Sequence, residues 1–129
     1  MFEKVHFVHD WYDGPREGVA DCGGRPHWFK SEWQDGADLD VDTFLLVPFD
    51  RATFELACEQ WEIWLRWEAS FKQGATTHET HPCLPNERTR WSELEHALVS
   101  RIALEQSNAF RRIGEFRKGR DYEVSWSTP

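Results

Sequence analysis

Basic residues are scarce at the front of this chain: residues 1–60 carry 13 acids against 5 bases, whereas residues 61–129 carry 10 of each. Phosphate contacts need a basic footprint, so the N-terminal half is not expected to bind nucleic acid. The basic cluster Arg111, Arg112, Arg117, Lys118 and Arg120 reads as a solvated strand face. Cysteines are few and odd in number. Cys22, Cys58 and Cys83 are too widely spaced for a disulfide framework, and reduced cytosol is the simplest compartment for them. No apolar leader follows Met1 and no run approaches membrane-spanning length, so the expectation is a soluble cytoplasmic protein.

Recognisable catalytic motifs are also lacking. There is no Gly-x-Ser-x-Gly elbow, no paired Cys-x-x-Cys and no helical His-Glu-x-x-His. Cys22-Gly23-Gly24 reads as a hairpin turn, not as a phosphate loop at a strand-to-helix junction. No internal repeat or low-complexity segment appears.

What is present in excess is tryptophan, with eight among 129 residues. Three of them stand in Trp61-Glu62-Ile63-Trp64-Leu65-Arg66-Trp67-Glu68. At about 100° per residue, the segment Phe54 to Phe71 divides into two helical faces. Glu55, Glu59, Glu62, Arg66, Ser70 and Gln73 form the wet stripe. The apolar arc holds Phe54, Leu56, Ala57, Cys58, Trp61, Ile63, Trp64, Leu65, Trp67 and Phe71, and it is wide enough to need cover on two sides. Glu68 falls inside that arc, where a carboxylate must be paired, hydrated or shifted in pKa.

The chain fits one domain, 1–129. Alternation predicts a strand from Phe2 to Trp11, with Val5, Phe7, His9 and Trp11 on one side. Asp13-Gly14-Pro15 makes a turn; Gly18 to Cys22 and Arg25 to Trp33 are two further strands around Gly23-Gly24. Gln34 to Asp42 reads as an exposed acidic loop and Thr43 to Val47 as a buried strand. Asp50 is placed to cap the Trp-rich helix, Gly74 ends it, and Ala75 to Pro85 is a loop. A second helix starts near Asn86, with Trp91, Leu94, Leu98 and Ile102 on one stripe. Phe110 to Arg117 and Tyr122 to Trp126 form a closing hairpin. The predicted fold class is α+β: a mainly antiparallel sheet of about five to six strands, with a two-helix antiparallel hairpin packed on one face. The Trp-rich helix would lie between the sheet and the second helix.

Candidate chemistry concentrates in His9-Asp10-Trp11-Tyr12-Asp13-Gly14-Pro15-Arg16, with Asp21 and His27-Trp28. If the first three strands are neighbours, His9 can meet His27, and a histidine beside Asp10, Asp13 or Glu68 can run acid/base chemistry. The plainer reading makes His9 a satisfied core histidine and the aspartates turn caps. Arg16 offers a planar donor fork for a carboxylate or phosphate ligand, or a counter-ion for its acidic neighbours. Trp11 and Trp28 are candidate ligand-binding rings, and Glu68 can pair with Arg16 or His9. His78, His81 and Cys83 are weak candidates for a soft divalent metal, with no cofactor expected otherwise.

The segments HDWYDGPREGVADCGGRPHWF, WEIWLRWE and THPCLP resemble an uncharacterised group of small bacterial proteins across most of the chain. That resemblance implies a bacterial, intracellular origin and carries no activity or residue role. Two functions remain open: a module that binds a small molecule or protein partner, and a small hydrolase-type enzyme using a His/Asp cluster, with acid/base or metal-assisted hydrolysis as the reaction type.

Overall fold

Short alternating runs in the first and last parts of the chain form six strands, and the long periodic segments between them form helices. The computed structural model describes residues 1–32 and 42–129. Two compact units result, one of Met1–Asp50 with Glu105–Pro129 and one of Arg51–Leu104. The expected end of the third strand at Trp33, and the acidic loop from Gln34 up to residue 41, lie outside the described residues.

In the first unit the strands are β1 (Phe2–Trp11), β2 (Pro15–Cys22), β3 (Arg25–Glu32), β4 (Thr43–Pro48), β5 (Phe110–Lys118) and β6 (Tyr122–Ser127). Each pairs antiparallel with the next, and β1 closes on β6 through Phe2↔Ser125, Glu3↔Val124 and Lys4↔Glu123. The result is a closed six-stranded barrel. This overturns the expected open sheet with a helical hairpin on one face. Residue alternation reveals which segments are strands, but the pairing of the first strand with the last joins residues more than a hundred positions apart and leaves no local trace.

A closed barrel turns one side of every strand inward, and a barrel this small is filled by its own side chains. Val5, Val8, Ala20, Phe29, Phe44, Leu46 and Val124 form that filling, with Phe116 and Trp126 packed against it. Phe29, Phe44, Phe116 and Trp126 meet at tilted or edge-on angles with ring centroids 5.4–6.0 Å apart, the arrangement ring quadrupoles favour. Two glycines make room. A Cβ at Gly114 would lie 2.7 Å from the Trp126 ring, and one at Gly18 would lie 2.2 Å from the Phe7 carbonyl oxygen. The β2–β3 turn is tight because Gly23 and Gly24 take φ of +63° and +77°, and the Glu3 carboxylate accepts both of their amides at 3.0 and 2.8 Å.

Because β4 and β5 pair directly, the second unit is an insertion between neighbouring strands. It contains α1 (Arg51–Lys72) and α2 (Arg88–Leu104). Helix α1 begins immediately after Asp50 and ends at Lys72; the Gly74 amide bonds the Phe71 carbonyl, and the φ of +75° at Gly74 turns the chain so that the Ala75 amide reaches the Ser70 carbonyl. Ile63, Leu94 and Cys83 form the apolar centre, with Leu56 and Trp91 against it. Trp67 is buried, stacks on Phe71 and donates its indole N–H to Thr80 Oγ1 at 2.8 Å. Trp61 and Trp64 are half-buried and stack on each other at 4.8 Å. Among the described residues no helix is long and apolar enough to cross a membrane.

Candidate functional site

The β1–β2 ladder is interrupted three times, and the interruptions place the polar side chains. Register runs Val5↔Ala20, Phe7↔Val19, Val8↔Gly18, Asp10↔Glu17 and Trp11↔Pro15. His6 and His9 are therefore extra residues on β1, and Arg16 is an extra residue on β2. A bulge re-aims the side chain of its extra residue and resets the alternation that follows. Hence Val5 and Val8, three residues apart, both join the barrel filling. The simple alternation that grouped Val5, Phe7, His9 and Trp11 on one side is corrected for this reason.

Each re-aimed side chain finds a partner. His6 Nε2 lies 2.7 Å from Asp21 Oδ1, and His9 Nε2 lies 3.1 Å from Glu17 Oε2. The same Glu17 oxygen accepts the Trp28 indole N–H at 3.0 Å. Burial alone would raise the Glu17 pKa. The bond to His9, its charge, the Trp28 bond and the nearby Lys30 charge outweigh that, and the carboxyl is held below its usual value.

Arg16 is only 8% exposed, and its guanidinium is spread over four acceptors. Nε donates to the Tyr12 carbonyl at 2.5 Å, one terminal nitrogen to the Asp13 carbonyl at 3.1 Å, and the other to Asp42 Oδ1 at 3.0 Å and Ser31 Oγ at 3.5 Å. These bonds clamp the turn Tyr12-Asp13-Gly14, in which Asp13 holds φ +58° and Gly14 φ +119°. The clamped turn displays Trp11, 48% exposed, and Tyr12, 72% exposed. Trp11 rests edge-on against Tyr122 with centroids 5.0 Å apart.

The other sequence-derived candidates separate. His27 does not meet His9, because β2 lies between their strands; it is buried, and its Nδ1 is 2.8 Å from the Arg25 carbonyl. Burial pushes its pKa down, against the Arg25 bond and the Asp21 and Glu3 charges. Asp10 and Asp13 are exposed and enter neither histidine pair. Glu68 pairs with Lys72, one turn along its own helix, at 2.7 Å, while Arg16 and His9 pair with Asp42 and Glu17. His78 and His81 lie against the rings of Phe71 and Trp67, and Cys83 is buried with Ile63 and Leu94. Among the described residues no three of His, Cys, Asp and Glu gather as a metal-holding group. Burial pushes the thiols of Cys22 and Cys83 up, which disfavours a reactive thiolate at either.

Sequence reasoning missed Glu17 as a partner, because the His9–Glu17 pairing depends on the bulge. It also passed over Tyr12, whose signal was an aromatic residue directly before an Asp-Gly turn. Three members of the basic cluster are engaged locally: Arg111 forks onto Glu32 at 2.7 and 3.1 Å, Arg117 bonds Glu123 at 3.0 Å and covers Phe2, and Arg112 covers Phe110.

Fold and ladder together define a small closed antiparallel barrel with an inserted helical hairpin and a clamped aromatic turn at one strand end. No protein-family model, curated protein or solved structure matches the chain.

Proposed function

We propose that the protein is a binding module, cytoplasmic in setting, that recognises a small molecule or a protein partner through the aromatic turn between β1 and β2. The observation that carries this reading is the Arg16 clamp. A buried guanidinium holding two main-chain carbonyls fixes a surface turn that presents two exposed aromatic rings. Exposed aromatics held in one geometry are favoured anchors, because little side-chain or loop entropy remains to be lost on binding. The engaged arginines of the basic cluster agree with a partner other than nucleic acid, and the three free cysteines agree with a reducing compartment.

The test is a fragment screen by ligand-observed NMR, followed by amide shift mapping. Hits should perturb Trp11 to Gly14 and Tyr122, and Trp11→Ala/Tyr12→Ala should abolish them while the melting transition is retained. Hits that map elsewhere, or persist in the double variant, would overturn this reading.

A second reading, a small hydrolase, is favoured by one arrangement: Glu17, itself fixed by Trp28, orients the partly exposed imidazole of His9. Turnover of a panel of simple esters and phosphoesters that disappears in His9→Gln supports it. Equal rates in both proteins exclude it.

A further inference from the structure

Two hairpin ends meet at the aromatic turn. Lys118 and Tyr122 are the last cross-strand pair of the β5–β6 hairpin, and Trp11, from the end of β1, rests on Tyr122 with centroids 5.0 Å apart and ring planes at 62°. Tyr122 also packs against the barrel filling, which makes its ring a fixed wall. Trp11 and Tyr122 therefore form an open corner, with the exposed Tyr12 next along the clamped turn. The Tyr122 ring already has a cation over it: the Lys118 ammonium, 5.7 Å from its centroid. We propose that this corner is a binding site for a small methylated ammonium compound, held against the rings of Trp11 and Tyr122 in competition with the Lys118 ammonium. The proposal rests on the binding reading above and names its ligand class.

The face of an aromatic ring is electronegative, most strongly for tryptophan, and it attracts an ammonium within about 6 Å of the centroid. Methylation removes the N–H donors that bind water, so a methylated cation favours ring faces over solvent. Lys118 meets the distance, and among the described residues no carboxylate pairs with it, so the ring is its partner. The charges around the corner favour a cation over an anion. Asp10 and Asp13 flank Trp11 and Tyr12 in the chain, and both are exposed and form no ion pair among the described residues. Asp121 is equally unpaired in the β5–β6 turn, opposed by Lys118 and Arg120 of the same turn. Three acids against two bases leave an excess of negative charge at this end of the barrel, in a chain of net charge −8. Such a field draws cations inward. Size points to a small compound: in the barrel unit, the other exposed large apolar side chain among the described residues is Met1, so the aromatic cover suits one head group and not an extended peptide.

The experiment titrates the full chain with choline and, separately, with dimethylbutanol, its neutral carbon isostere of the same shape, at matched ionic strength and followed by NMR. Choline should shift the Trp11 indole N–H and the Tyr12 and Tyr122 amides, and it should bind on the order of tenfold more tightly than the isostere. Trp11→Ala should abolish the shifts. Lys118→Gln removes the competing ammonium, and choline should then bind about threefold more tightly. Equal binding of the isostere, choline shifts that map elsewhere, or an affinity unchanged in Lys118→Gln overturns the proposal. Lys118 is exposed and its replacement leaves both rings in place, so that variant decides the matter if Trp11→Ala does not fold. Failure of the cation class is distinct from failure of the binding reading: neutral or anionic fragments that map to Trp11 and Tyr122 while choline does not would overturn the former and leave the latter standing.

Discussion

Gly18 carries a constraint set by its neighbours. A methyl group there would sit 2.2 Å from the Phe7 carbonyl oxygen and 2.9 Å from the Val8 Cα, so backbone atoms of the paired strand would have to move. Gly18→Ala should cost about 1–3 kcal/mol or more, measured by chemical denaturation. Gly14→Ala is not a comparable control, because Gly14 has open space around it but a φ of +119° that strains any side chain. Arg16 makes a second residue-scale point. Lysine keeps the charge but lacks the fork that reaches Tyr12, Asp13 and Asp42 together. Arg16→Lys should therefore lose about 1–3 kcal/mol and raise amide exchange at Tyr12 to Gly14. If stability and exchange are both unchanged, the clamp contributes nothing to the rigidity of the turn.

At the scale of the element, the Trp-rich helix separates tryptophans that look alike in sequence. Trp67 is buried between Phe71 and His81 with its N–H bonded to Thr80, whereas Trp61 and Trp64 remain half-buried in their mutual stack. Trp67→Ala should cost about 3–5 kcal/mol in equilibrium denaturation, and Trp64→Ala distinctly less. Equal losses would mean that Trp64 is as fully packed as Trp67. Glu68, which a helical projection puts inside the apolar arc, is paired with Lys72 on a partly exposed surface. The projection fixed its direction but not how far the apolar cover extends. Helix ends were easier to read, because Gly74 acts through its own backbone and needs no tertiary partner.

For the whole molecule, the pH dependence of stability combines His27 with Glu17. His27 has a folded pKa lowered by burial, so the stability tied to its neutral form is complete above its ordinary value of 6.5 and is lost as pH falls below it. Glu17, lowered from 4.5, contributes stability that is complete above that value and is lost as pH falls through its folded pKa. Denaturation curves should show stability falling below pH 6.5, and His27→Gln should flatten that fall. In the otherwise unaltered chain, Glu17→Gln should flatten the fall below pH 4.5. A slope unchanged by either substitution would show that the group does not titrate differently on folding.

The strands, both helices, the Gly23-Gly24 turn and the Gly74 stop follow from the sequence, because alternation, helical period and positive-φ glycines act within a few residues. His9, Trp11 and Arg16 are likewise legible as members of a polar cluster. Which groups they meet is decided only in three dimensions. Closure of β1 on β6, the bulges that send His9 to Glu17 and Arg16 into its clamp, and the placement of β2 between His9 and His27 all depend on strand register. Register is set by the joint packing of distant strands around one aromatic filling, and a shift of one residue reverses every side chain that follows it.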